Sequence, residues 1–181
     1  MEMFEFKIFC SGVDTIDDSF LDRLHEAGCD DALVFFKDGY ICLDFSREAS
    51  NAEQALVSAV RDIEHSAIDA ITERIEPDDL TSLSEIARRT GVTRASLQKY
   101  ARGNSRVGAD FPKPVANISR SRRELYSASE VIGWMLEKDR VNLPSRTLEL
   151  ARAISVTNQA LLINKTKKNA DVERLASLLN F

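Results

Sequence analysis

Phe4, Phe6 and Ile8 alternate with Glu5 and Lys7, the period of a strand with one buried face. Asp17 or Asp18 can cap a following helix in which Phe20, Leu21 and Leu24 share a side, and Ala27-Gly28 supplies its stop. Two β-rich runs, 32–36 and 40–45, flank Lys37-Asp38-Gly39, and Asp-Gly between such runs is a strong hairpin signal. Ser50-Asn51-Ala52-Glu53 reads as a capping box, after which Ala52, Ala55, Leu56, Ala59, Val60 and Ile63 recur at helical spacing. Alternation returns between Ile68 and Ile75. Strand, helix, hairpin, helix, strand is the order of a ferredoxin-like βαββαβ module over residues 1–76. That architecture serves sensing, dimerisation and catalysis alike, so the pattern assigns no activity, and dimerisation or sensing is the expectation.

Glu76-Pro77-Asp78-Asp79 marks a boundary, because proline cannot donate to a ladder and the acids favour turns. Beyond it, over residues 77–138, the helical period takes over. Ser82-Leu83-Ser84-Glu85 is a second capping box, opening a helix through Ile86 and Ala87 that meets Gly91. Thr93 then caps a helix running to Arg102 and closed by Gly103. Two short helices about a glycine turn form a helix-turn-helix, with Ile86, Val92, Leu97 and Tyr100 turned to a core. Thr93, Arg94, Ala95, Gln98, Lys99 and Arg102 remain on the open side, joined by Ser82 at the start of the first helix. Arginine can grip guanine and glutamine can grip adenine through paired hydrogen bonds in the major groove, so the expected ligand is double-stranded DNA. Downstream, Phe111-Pro112-Lys113-Pro114-Val115 cannot be helical, and residues 115–126 read as a two-stranded wing. Its tip carries Arg120, Arg122 and Arg123, suited to phosphates or a narrow minor groove. Ser127-Ala128-Ser129-Glu130 is a third capping box, before a covering helix with Trp134.

Leu83-Ser84-Glu85-Ile86-Ala87, Gly91 to Leu97, Phe111-Pro112-Lys113-Pro114-Val115 and Ser129 to Met135 together resemble the winged helix-turn-helix of AlpA-type and excisionase-like regulators, relatives of the MerR DNA-binding domain. The likeness spans Leu80 to Leu136. It implies sequence-directed duplex binding, with the helix at 93–102 in the major groove and the wing on the backbone or minor groove. The stretch Gly103 to Asp110 is longer than that pattern usually has, and its glycines suggest a pliant connection. The fold class expected is therefore α+β: a ferredoxin-like module, a winged helix-turn-helix, and C-terminal helices over 139–181. Those helices begin at Pro144, with apolar stripes at Leu148, Ala151, Ile154, Leu161 and Leu162 and again at Val172, Leu175, Ala176, Leu178 and Leu179. They close the fold or join two subunits; a single helix-turn-helix reads too few base pairs for useful specificity, which favours a homodimer.

Charge sharpens this picture. The net charge of -5 averages an acidic start, 20 Asp and Glu against 6 Lys and Arg up to Asp79, with a stretch from Leu80 to Tyr126 holding 3 against 10. Such asymmetry points to a polyanion partner for the basic part. An antitoxin-like or adaptor role, in which the acidic module binds a protein partner, is the competing expectation. With 44% hydrophobic residues and no apolar run near ~20 residues, neither disorder nor a membrane span is expected. The start MEMFEFKIFC lacks the features of a secretory signal, so a cytoplasmic, nucleoid-associated protein is anticipated. Cys10, Cys29 and Cys42 show no C-x-x-C spacing and read as buried, reduced thiols. His25 and Cys29 at i, i+4, with Cys42, could chelate a metal, but a solvated histidine and a small core thiol explain them more simply. No catalytic residues, metal or cofactor are expected: the only histidines are His25 and His65, and no acid, base and nucleophile set stands out.

Overall fold

A computed structural model describes residues 1–66, 68–103, 108–118 and 123–166, together with 172, 174, 177 and 178. The chain is mixed α+β and divides into two compact units, Met1–Pro77 with Ala153–Phe181, and Asp78–Arg152. The C-terminal stretch, read from sequence as a third piece, is thus shared between the two.

The first unit runs β1 (Glu2–Ser11), α1 (Asp18–Glu26), β2 (Ala32–Lys37), β3 (Tyr40–Ala49), α2 (Ala52–His65), β4 (Ile71–Glu76). Its strands lie in the order β2-β3-β1-β4 and every pairing is antiparallel. Asp17 caps α1, its carboxylate accepting from the Phe20 N–H at 2.8 Å. The cap of α2 is Asn51, not Ser50: the Asn51 side chain accepts from the Gln54 N–H, and the Ser50 hydroxyl donates to the Gln54 side chain instead. At the hairpin Asp38 (φ 51) and Gly39 (φ 80) are both left-handed, the two-residue turn whose twist matches the flanking strands.

Two strand ends differ from expectation, each for a local reason. Strand β3 continues past Phe45 to Ala49 because Arg47, unsuited to a core strand on charge alone, is neutralised there. Its guanidinium is bidentate on Asp31 (2.8 and 2.9 Å), reaches Asp62 at 2.6 Å and donates to the Gly28 carbonyl at 2.6 Å. Strand β4 begins at Ile71 rather than Ile68, since Asp69 adopts φ 54 and interrupts the extended run. Phe4, Phe6, Ile8, Ile41, Leu43, Phe45, Leu56 and Ile63 form the bulk of the core. Cys10, Cys29 and Cys42 are free and buried, and burial pushes their thiols up to about 12, 12 and 11 respectively. His25 is exposed while Cys29 is buried, and among the described residues no three His, Cys, Asp or Glu groups gather as a metal site.

The second unit contains β5 (Leu80–Thr81), α3 (Leu83–Thr90), α4 (Arg94–Ala101), β6 (Ala116–Ile118), β7 (Arg123–Ser127) and α5 (Ala128–Glu137). Its small antiparallel sheet has the order β5-β7-β6. Strand β5, absent from the sequence pattern because two residues carry no period, pairs Leu80 with Ser127 and Thr81 with Tyr126. Leu83, Ile86, Leu97, Tyr126, Val131, Ile132, Trp134 and Met135 form one buried cluster.

Helix α6 (Ser145–Thr166) passes from the second unit into the first. Leu148 and Ala151 pack on the second unit's cluster, and Ile154 is fully buried. The expected stripe weakens further on: Leu161 is half-buried and Leu162 is 61% exposed. What ties this part of α6 to the sheet is polar. The Asn158 side-chain amide donates to the Ile75 carbonyl and accepts from the Ile75 N–H, both at 2.8 Å, imitating a neighbouring strand along the edge of β4. Of the second stripe, Val172 and Leu178 are exposed, and Leu175, Ala176 and Leu179 lie outside the described residues. Among the described residues no helix is long and apolar enough to cross a membrane.

Candidate functional site

Three caps set the geometry of the second unit. The side chains of Ser82, Thr93 and Ser127 accept from the N–H groups of Glu85, Ser96 and Glu130 at 3.3, 3.1 and 3.2 Å, starting α3, α4 and α5 where the sequence places them. Gly91 ends α3 in the left-handed conformation (φ 71), letting the chain turn directly into α4. Asp79 fastens the base of β7 to the first turn of α5: its carboxylate accepts from the Ser127 hydroxyl at 2.8 Å and the Ser129 N–H at 2.7 Å. Behind α4 an aromatic group fills the core, with Tyr100 and Phe111 at 5.3 and 5.0 Å from Trp134 between ring centroids and Phe111 edge-on to Tyr126.

Where it is described, the connection between α4 and the wing packs closely against α4. A Cβ on Gly108 would stand 2.2 Å from the Tyr100 carbonyl oxygen, so this glycine is required by close approach to α4. One residue on, the Ala109 carbonyl accepts from the Trp134 indole N–H at 3.1 Å.

These contacts leave a cleft of about 910 Å³ bounded by α3, α4 and β7. Arg94 and Gln98 on α4 and Arg102 at its C-cap, spaced one helical turn apart, line one wall, and Ser82 and Ser84 at the start of α3 line another. Pro114, Glu124 and Tyr126 complete it. Of the residues expected to face a ligand, the structure therefore brings together Ser82, Arg94, Gln98 and Arg102. Thr93, Ala95 and Lys99 are exposed on the same helix but outside the cleft wall. Arg120 and Arg122 lie outside the described residues, and Arg123 is described only in its backbone position on β7.

The bases nearby are not equivalent. Arg88 and Arg89 on α3 are paired with Glu85 at 2.6 and 3.0 Å, which pulls that carboxyl down to about 2, the Arg88 hydrogen bond contributing most. Arg89 also donates to the Asp78 carbonyl at 2.8 Å. Arg94, Lys99 and Arg102 have no ion pair among the described residues, so their charge is available to a ligand. Glu124 and Tyr126 were not singled out from sequence, although the two-residue period of a strand puts them on one face. The Tyr126 hydroxyl donates to Glu124 at 2.7 Å, and burial, reinforced by that carboxylate, keeps the phenol protonated. No protein-family model, no curated protein and no solved structure matches the chain.

Proposed function

We propose that this chain is a sequence-specific duplex-DNA-binding protein acting as a transcriptional regulator, with α4 in the major groove and the β6–β7 hairpin on the backbone or in the minor groove. The observation that carries it is the alignment of unpaired Arg94, Gln98 and Arg102 on one wall of a single cleft. Arginine offers the fork that matches guanine O6 and N7, and glutamine the pair of groups that matches adenine N6 and N7. Ser82 and Ser84, at the positive end of α3, suit a phosphate that fixes the protein's register on the duplex. In this reading the second unit is a winged helix-turn-helix of the AlpA and excisionase-like kind, supported by the left-handed turn at Gly91 and the antiparallel hairpin after α4. The first unit is ferredoxin-like, supported by its antiparallel order β2-β3-β1-β4. Two copies bind paired half-sites, because one recognition helix covers too few base pairs for specificity. A nucleoid-associated location follows.

Selection from random duplexes at two salt concentrations tests the proposal. An enriched motif with steep salt dependence is expected, and Arg94→Ala should relax discrimination at one base position by about 1–3 kcal/mol. Absence of an enriched motif together with weak salt dependence would overturn the assignment and leave a protein partner for the acidic unit as the better reading.

A further inference from the structure

The two edges of the four-stranded sheet are treated differently. Along β4 the Asn158 amide occupies the main-chain groups of Ile75. At the other edge, β2 pairs only with β3 among the described residues, and its sequence, Ala32-Leu33-Val34-Phe35-Phe36-Lys37, is almost wholly apolar. Leu33 is 68% and Phe36 47% exposed. An unblocked apolar edge strand is a template for another strand, and chains ordinarily blunt it with charge, proline or cover.

The direction of the hydrogen bonds fixes what can pair there. The Asp31 carbonyl accepts from the Ser46 N–H, and Lys37 is opposite Tyr40 at the two-residue turn, so the odd positions of β2 face β3. The main-chain groups of Ala32, Val34 and Phe36 therefore point outward. The Ala32 N–H is taken by the Cys29 carbonyl at 3.2 Å, which leaves the Ala32 carbonyl and both groups of Val34 and Phe36.

We propose that β2 joins β2 of a second copy of this chain, antiparallel about a two-fold axis through Val34, making one continuous sheet. In this register Val34 lies opposite its own counterpart, and the two exchange both N–H to carbonyl bonds. Each Phe36 N–H meets the Ala32 carbonyl of the other copy. The side chains are self-complementary in size, since large Phe36 lies opposite small Ala32 and exposed Leu33 opposite Phe35. In the same register Lys37 comes opposite Asp31 of the other copy, an unlike pair, although Asp31 is also held by Arg47 and Asp38 comes opposite Asp30. Shifting the register by one residue would put side chains on opposite faces across the pair, and a two-residue shift, which still pairs outward groups, would set Leu33 or Phe35 opposite its own counterpart and lose the match of large Phe36 with small Ala32.

The symmetry of this pairing rests on the two-copy reading above. The test is run without DNA, so loss of the dimer and loss of duplex binding are separable results. Sedimentation equilibrium of the full chain should give twice the chain mass. Val34→Pro removes an outward N–H that no internal bond uses, and Phe36→Lys sets a charge on the seam; each should yield the single-chain mass with an unchanged far-ultraviolet dichroism spectrum. Because the pairing brings the two Val34 Cα atoms to about 5.5 Å, Val34→Cys should form a disulfide-linked dimer on mild oxidation, while the buried native cysteines stay reduced. A single-chain mass for the unaltered protein, a dimer that persists in Phe36→Lys, or failure of Val34→Cys to cross-link would each overturn the proposal. The last two still decide if Val34→Pro does not fold.

Discussion

Glu124 is the single carboxylate among the residues that line the cleft with Arg94, Gln98 and Arg102, and it is held in place by the Tyr126 hydroxyl. In the proposed interface it faces the phosphates of bound DNA and opposes them. Glu124→Gln keeps the shape and removes the charge, so affinity for all duplexes should rise about three- to tenfold, on the order of 1 kcal/mol for a half-solvated charge. Fluorescence anisotropy against matched and unrelated duplexes checks this, and a loss confined to one preferred sequence would show instead that the carboxylate reads a cytosine amino group. The buried thiols give a second prediction at this scale. Cys10, Cys29 and Cys42 titrate near 9.0 when unfolded but are raised to about 12, 12 and 11 in the fold. A raised folded value means that the unfolded chain releases protons first, so stability is intact below pH 9 and falls as pH rises toward 11 and 12. Urea midpoints should drop across that window, and replacing the three cysteines with alanine should flatten the drop. Which residues cap helices was legible in the sequence, because Ser82, Thr93 and Ser127 act on neighbours three positions away. Glu124 was not, because its place depends on the register of β7 against β6.

The same difference between local and distant causes governs the elements. Helices α1 to α5 follow from period and cap, joined by a glycine stop in α1, α3 and α4, all of them local to each helix. Strand β3 outran its sequence pattern because Arg47 is tolerated only once Asp31 and Asp62 arrive from other parts of the chain. Strand β5 owes its two residues entirely to β7, and the hold of α6 on β4 depends on Asn158, a polar residue in a helix otherwise read by its apolar spacing. Gly108 is the sharpest instance. From sequence it loosens a long connection, but its Cα lies against the Tyr100 carbonyl, where even one methyl group has no room. Gly108→Ala should therefore force the chain away from α4, disturb the Ala109 to Trp134 hydrogen bond, and destabilise the second unit by about 1–3 kcal/mol. Tryptophan fluorescence, reporting the single Trp134, follows the unfolding directly.

For the whole molecule the division of charge matters more than its sum. The unit Asp78–Arg152 holds 14 Lys and Arg against 9 Asp and Glu, whereas the other unit holds 10 against 20. An acidic unit adds nothing to phosphate contact, so weak non-specific binding is compatible with a strongly cationic reading surface. The salt dependence of binding then counts subunits. If Lys99 acts on the backbone with the three arginines of the wing while Arg94 and Arg102 read bases, each copy neutralises about four phosphates, and the logarithm of affinity should fall with the logarithm of salt with a slope of about -4 per copy. Two copies joined through β2 should give a slope of about -7 on a paired site, and Val34→Pro should halve it while leaving binding to a single half-site unchanged. A full-chain slope that stays at about -4 on paired sites would mean that the cationic surface works one copy at a time, and that specificity must come from contacts beyond α4.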